Sequence, residues 1–113
     1  MTDEHRRAPR KRLQHFLPVL DAGSRLPLGR LVDISASGMM LISSEPLPVD
    51  CEFHLEIQPL PDSGLLPVQL TAVSVWSRAS THNHLHHGCG LRFMNLNALE
   101  QADLAALIRS QDA

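Results

Sequence analysis

Val32-Asp33-Ile34-Ser35-Ala36-Ser37-Gly38-Met39-Met40-Leu41 places an apolar run, a small polar turn and a second apolar run in direct succession. Aliphatic residues on both sides favour paired strands, and the Asp, Ser and Gly between them favour a tight reversal. Gly38 is expected to take a backbone conformation closed to other residues, with the chain returning at once to apolar residues. Held between two core strands, such a turn fixes one carboxylate, Asp33, and two hydroxyls, Ser35 and Ser37. It makes a site only if a second set of groups meets it.

Working outward, residues 28–34 read as the strand entering the turn, and residues 13–20 as the strand before it. Leu13, His15, Leu17 and Val19 share one face of that earlier strand, and Pro18 marks it as edge or irregular because proline cannot donate to a ladder. Downstream, residues 39–43 form a buried strand, followed by a loop containing Pro46 and Pro48. Cys51-Glu52-Phe53-His54-Leu55-Glu56-Ile57 alternates cleanly, with Cys51, Phe53, Leu55 and Ile57 inward and the two glutamates and His54 toward water. Residues 68–76 are rich in branched side chains, residues 77–87 read as a polar hairpin loop, and residues 88–94 as the last strand. Asn97, with Glu100 three positions on, is a capping-box start for a terminal helix. The fold class is all-β with a terminal helix: a six-stranded antiparallel β-barrel plus a C-terminal α-helix. Residues 1–12 are expected to be a flexible basic arm and residues 13–113 the barrel with its helix.

The chain of 113 residues suits one domain with one core, and with no Tyr and few aromatics that core must be Leu, Val, Ile and Met. A net charge of -2 argues against a protein that coats nucleic acid, and no nucleic-acid polymer is expected as a partner. The average conceals an asymmetry, because Arg6, Arg7, Arg10, Lys11 and Arg12 stand together on an otherwise acidic chain. Cys51 and Cys89 show no paired spacing and read as reduced thiols of a cytoplasmic protein. No apolar run approaches the roughly 18 residues of a membrane span, and the N-terminus is too polar for a signal peptide. An enzyme is not expected: no hydroxyl nucleophile has a base beside it, no carboxylates are paired, and no glycine loop cradles phosphate.

Arg6 and Arg10 are spaced as RxxxR, and guanidinium forks donate paired hydrogen bonds to phosphate and to the guanine O6/N7 edge. Either element alone is common. In this order, Arg6-Arg7-Ala8-Pro9-Arg10 and Asp33-Ile34-Ser35-Ala36-Ser37-Gly38 resemble the PilZ domain family, which binds the bacterial second messenger cyclic di-GMP through an RxxxR arm and a [D/N]xSxxG turn. Val75-Trp76-Ser77-Arg78, Gly90-Leu91-Arg92-Phe93 and the terminal helix extend the resemblance over essentially the whole chain. The arm departs from the frequent RRxxxR form, since a third arginine follows Arg7 after two residues; Arg6 and Arg10 keep the minimal spacing.

The resemblance implies a PilZ-like barrel with ligand-binding residues Arg6, Arg7, Arg10, Asp33, Ser35 and Gly38. It implies cyclic di-GMP as ligand, no cofactor, and a second-messenger receptor that passes its signal to an unidentified downstream protein. In that reading Asp33 accepts from guanine N1–H and N2–H₂, Ser35 offers a hydroxyl, Gly38 permits close approach, and the arginines grip phosphates and guanine faces. Two other readings stand beside it: an interaction module that keeps the barrel without nucleotide, and a nucleic-acid-binding small barrel. The terminal helix offers a surface for a homodimer. His82, His84, His86, His87 and Cys89 form a rival cluster whose alternate imidazoles could hold Zn²⁺, but no second ligand pair has finger spacing, so the segment reads as a solvated loop or a partner contact and no metal is expected. Trp76 is read as core or barrel rim, or as a platform for the ligand.

Overall fold

A computed structural model of the chain describes residues 10–79 and 86–111. Among these residues run six strands, β1 (Lys11–Asp21), β2 (Pro27–Ile34), β3 (Gly38–Ser43), β4 (Glu52–Ile57), β5 (Val68–Ala79) and β6 (His87–Phe93). One helix, α1 (Ala98–Ser110), follows them. Neighbours pair antiparallel in the order β1-β2-β3-β6-β5-β4, and β4 closes on β1 to complete a barrel. The expected class, six antiparallel strands and a terminal helix, is the observed one.

The interior is aliphatic, as the lack of aromatics requires: Leu17, Leu31, Met39, Leu41, Leu55 and Ile57 are essentially closed to solvent. Leu104 and Leu107 of α1 join the same cluster, so the helix packs on its own barrel. Asn97 caps α1 by accepting from the Glu100 amide at 2.7 Å, and the Glu100 carboxylate accepts from the Asn97 amide at 2.9 Å. At the other end of the helix, Gln111 is 1% exposed, and its side-chain amide is paired to the backbone of His15. The His15 N–H donates to Oε1 at 2.9 Å, and Nε2 donates to the His15 carbonyl at 3.1 Å. The β1–β2 register is broken between Arg12 and Leu17, and Gln111 serves the backbone groups that this break frees.

Several sequence expectations are corrected here. β1 begins at Lys11 rather than Leu13, because Lys11 pairs with Ile34 and Arg12 with Asp33. β5 and β6 run past the expected loop boundaries, since Ser77, Arg78 and Ala79 pair with Cys89, Gly88 and His87. These strand ends are polar because they are exposed, which is why their composition imitated a loop. Cys51 lies just before β4 and is half-exposed. Glu56, expected on the wet face, is 4% exposed. The Arg25 guanidinium bonds it at 2.6 Å, and the amides of Gln69 and Gln58 also donate to it.

Candidate functional site

The site begins with an irregularity in β2. Leu31 pairs with Leu41 and Asp33 with Met40, so Val32 is an extra residue on its strand. Strict alternation from Leu31 would turn Asp33 into the core. The bulge instead buries both Leu31 and Val32, sends Ile34 inward and leaves Asp33 on the outer face. Asp33 meets the basic segment there: Arg10 Nη1 donates to Asp33 Oδ1 at 2.6 Å, with the two side chains 49% and 18% exposed. Arg6 and Arg7 lie outside the described residues. Arg12 is turned to Phe16, its guanidinium 5.5 Å from the ring centre.

The turn after Asp33 is closed by its own groups. The Ser35 amide donates to the Gly38 carbonyl at 2.9 Å, and the Ser35 hydroxyl lies 3.4 Å from the same oxygen. The Ser37 amide reaches the Ser35 hydroxyl at 3.3 Å, and the two hydroxyls are 3.3 Å apart. Phe93 N–H donates to the Ser37 carbonyl at 3.0 Å, which docks the turn onto β6. Gly38 is required here by space rather than by backbone freedom. Gly64 is the positive-φ glycine among the described residues, whereas a Cβ on Gly38 would lie 2.2 Å from the Leu91 carbonyl oxygen.

Register extends the site across the barrel wall. Asp33 pairs with Met40, Met40 with Gly90, and Gly90 with Trp76, so these residues form one lateral row. A second register shift, between Ser74 and Trp76, brings Trp76 into that row. Its indole lies against Gly90, where a Cβ would come within 2.0 Å of Nε1. Arg78 stands over the same ring, 5.4 Å from its centre. The outer face therefore carries Asp33 with Arg10 at one end and Trp76 with Arg78 at the other, separated by Met40 and a glycine. Sequence periodicity could not align Trp76 with Asp33, because a bulge intervenes on each of their strands.

Ser35, Ala36 and Ser37 also border a cavity of about 730 Å³ between the turn, the end of β6 and α1. Arg10 and Asp33 do not line it. The structure thus joins Arg10 to Asp33 directly, while Ser35 borders a neighbouring space.

The histidine cluster divides differently from its sequence spacing. Cys89 is fully buried in the barrel core, and that burial pushes its thiol pKa up, away from the thiolate that a metal ligand must be. His82 and His84 lie outside the described residues, and among the described residues no three His, Cys, Asp or Glu side chains group as a metal site. No helix among those residues is long and apolar enough to cross a membrane.

A closed six-stranded barrel with a terminal helix, and an arginine reaching a carboxylate in an Asp-x-Ser-x-x-Gly turn, define a class of small β-barrels. The chain belongs to the PilZ domain family, whose model matches residues 4–110. Among solved structures, the chain is similar to the Bacillus subtilis inhibitor of motility MotI/DgrA, with TM-score 0.71 and 19% identity over 96% of this chain and 51% of that one. It is similar to the PilZ domain of YcgR from Escherichia coli, solved with c-di-GMP, with TM-score 0.69 and 18% identity over 96% of this chain and 92% of that one. The MrkH–c-di-GMP complex of K. pneumonia matches with TM-score 0.68 and 17% identity over 88% of this chain and 48% of that one. The chain thus spans about half the length of MotI/DgrA and of MrkH. No curated protein sequence matches it.

Proposed function

We propose that the chain is a cyclic di-GMP receptor whose ligand-dependent ordering of the N-terminal arm changes its contact with a downstream protein. The observation that carries this reading is the 2.6 Å pair between Arg10 and Asp33, which brings the arm and the turn to one point on the barrel. Membership of the PilZ family supports it, as do the similar YcgR domain and MrkH, both solved with c-di-GMP.

In this reading Asp33 accepts the N1–H and N2–H₂ edge of a guanine, a paired contact that adenine lacks. Arg10 releases Asp33 and turns to phosphate or to the guanine O6/N7 edge. Breaking the pair costs little, because partly exposed ion pairs contribute about 1 kcal/mol or less. Arg6 and Arg7 add cations from the arm, Ser35 supplies a hydroxyl, and Gly38 keeps the turn close to β6. Trp76 and Arg78 offer a flat surface for a second base along the row. Folding the arm over the ligand makes the bound surface differ from the free one, which is what a signal to another protein needs.

A second reading is an interaction module without nucleotide, and one observation favours it: Asp33 already has a satisfied partner in Arg10. Calorimetric titration with cyclic di-GMP separates the two. Saturable binding at micromolar or lower concentration, abolished by Arg10→Ala and by Ser35→Ala in folded protein, supports the receptor. Absence of heat at high ligand concentration leaves the interaction module.

A further inference from the structure

The cavity between the turn and α1 has chemistry that the nucleotide reading touches only at Ser35. Its volume of about 730 Å³ lies in the range of small-molecule sites. Its walls come from the turn after β2, the end of β6 with Phe93, the α1 face that carries Ala105 and Ile108, and Lys11 at the start of β1. An occupant therefore lies in a half-open groove between these walls, which suits a slender molecule rather than a folded partner.

Along the helix the lining is apolar apart from Gln101, and it is polar where the turn meets β6. Arg92 stands there on the outer face, exposed, and its side chain has no hydrogen bond or ion pair to another described residue. Its backbone is fixed opposite Gly38, one residue from the Phe93 amide that holds the Ser37 carbonyl. The Ser35 and Ser37 hydroxyls beside it are engaged through contacts of 3.3 to 3.4 Å with each other and with the turn backbone. Contacts of that length are weak and leave hydroxyl capacity for a ligand. A planar guanidinium with two hydroxyls fits a carboxylate, and the apolar wall fits a hydrocarbon body.

We propose that this cavity is a second ligand site, separate from the Asp33 row, for an amphipathic carboxylate of medium-chain acyl type. Its head lies at Arg92, Ser35 and Ser37, and its chain lies along Phe93 and α1. The cavity shares Ser35 with the nucleotide reading, but neither Arg10 nor Asp33 lines it, so Arg10→Ala separates the two sites.

The test is titration of the full chain with decanoate below its micelle concentration, followed by calorimetry and by amide shifts in NMR. The expected result is saturable binding of one decanoate per chain, with shifts at Ser37, Phe93 and Ala105, unchanged in Arg10→Ala. Arg92→Gln, an exposed change that spares the core, should weaken binding about tenfold, as should replacing decanoate by decanol. Ala105→Phe, which fills the cavity, should abolish binding at an unchanged thermal midpoint; if that variant unfolds, Arg92→Gln and the shift map decide alone. Unsaturable binding, shifts elsewhere, or equal affinity for decanoate and decanol would overturn the proposal. So would a dimer of the unliganded chain that Ala105→Phe dissolves, since the cavity would then be filled by a second copy.

Discussion

At the scale of single residues, Gly38 and Gly90 are held on the barrel wall by close approach. Gly38 faces the Leu91 carbonyl and Gly90 lies under the Trp76 indole, so a methyl group at either must displace backbone or ring. Gly38→Ala should destabilise the fold by about 1–3 kcal/mol, the usual cost of overpacking, read as a lower urea midpoint. Gly90→Ala should lift the indole from β6 and change its fluorescence, and Trp76 is the single tryptophan of the chain. Glu56 carries a different kind of prediction. The Arg25 guanidinium, followed by the Gln69 and Gln58 amides, holds its carboxyl at about 2 against an ordinary 4.5. The folded state therefore favours the ionised form. Its contribution to stability is complete above 4.5 and is lost as pH falls from there through about 2. Glu56→Gln should lower stability at neutral pH and flatten the acid limb of the urea midpoint against pH; an unchanged acid limb would show that other carboxylates set it.

At the scale of elements, the helix is tied at its end to the strand that continues from the basic segment. Gln111→Ala removes both side-chain bonds to His15 and leaves backbone groups of β1 unpaired beside a buried position. That should cost about 1–3 kcal/mol and speed hydrogen exchange at the His15 amide more than at core amides. What the sequence made legible at this scale was whatever depended on regular periods or local caps. The alternation of residues 51–57, the strands around the Asp33 turn and the Asn97–Glu100 box all required only neighbours in the chain. What it concealed depended on bulges and distant partners. The extra residue at Val32 turns Asp33 outward, and the shift between Ser74 and Trp76 sets the indole in the same row. Glu56 counted as a wet-face residue because its partner Arg25 lies 31 positions away. Gly38 was recognised as necessary, but for backbone freedom, because close approach to Leu91 is invisible without β6 beside it.

At the scale of the whole molecule, the barrel brings together pieces that are distant along the chain. Lys11 and Arg12 enter β1 beside Ile34 and Asp33, so Arg10 is delivered to the carboxylate by strand pairing rather than by the arm alone. The same wall continues through Met40 and Gly90 to Trp76, which makes the single indole a reporter of anything lying along the row. The central claim is that cyclic di-GMP binds on that row between Arg10 and Trp76. Its most direct measurement is the emission of Trp76 during titration with cyclic di-GMP, with heat recorded on the same protein. The account predicts a saturable change in emission that follows the heat and disappears in Arg10→Ala and Asp33→Ala while the fold persists. Heat without a change in Trp76, or no response at saturating ligand, would contradict it.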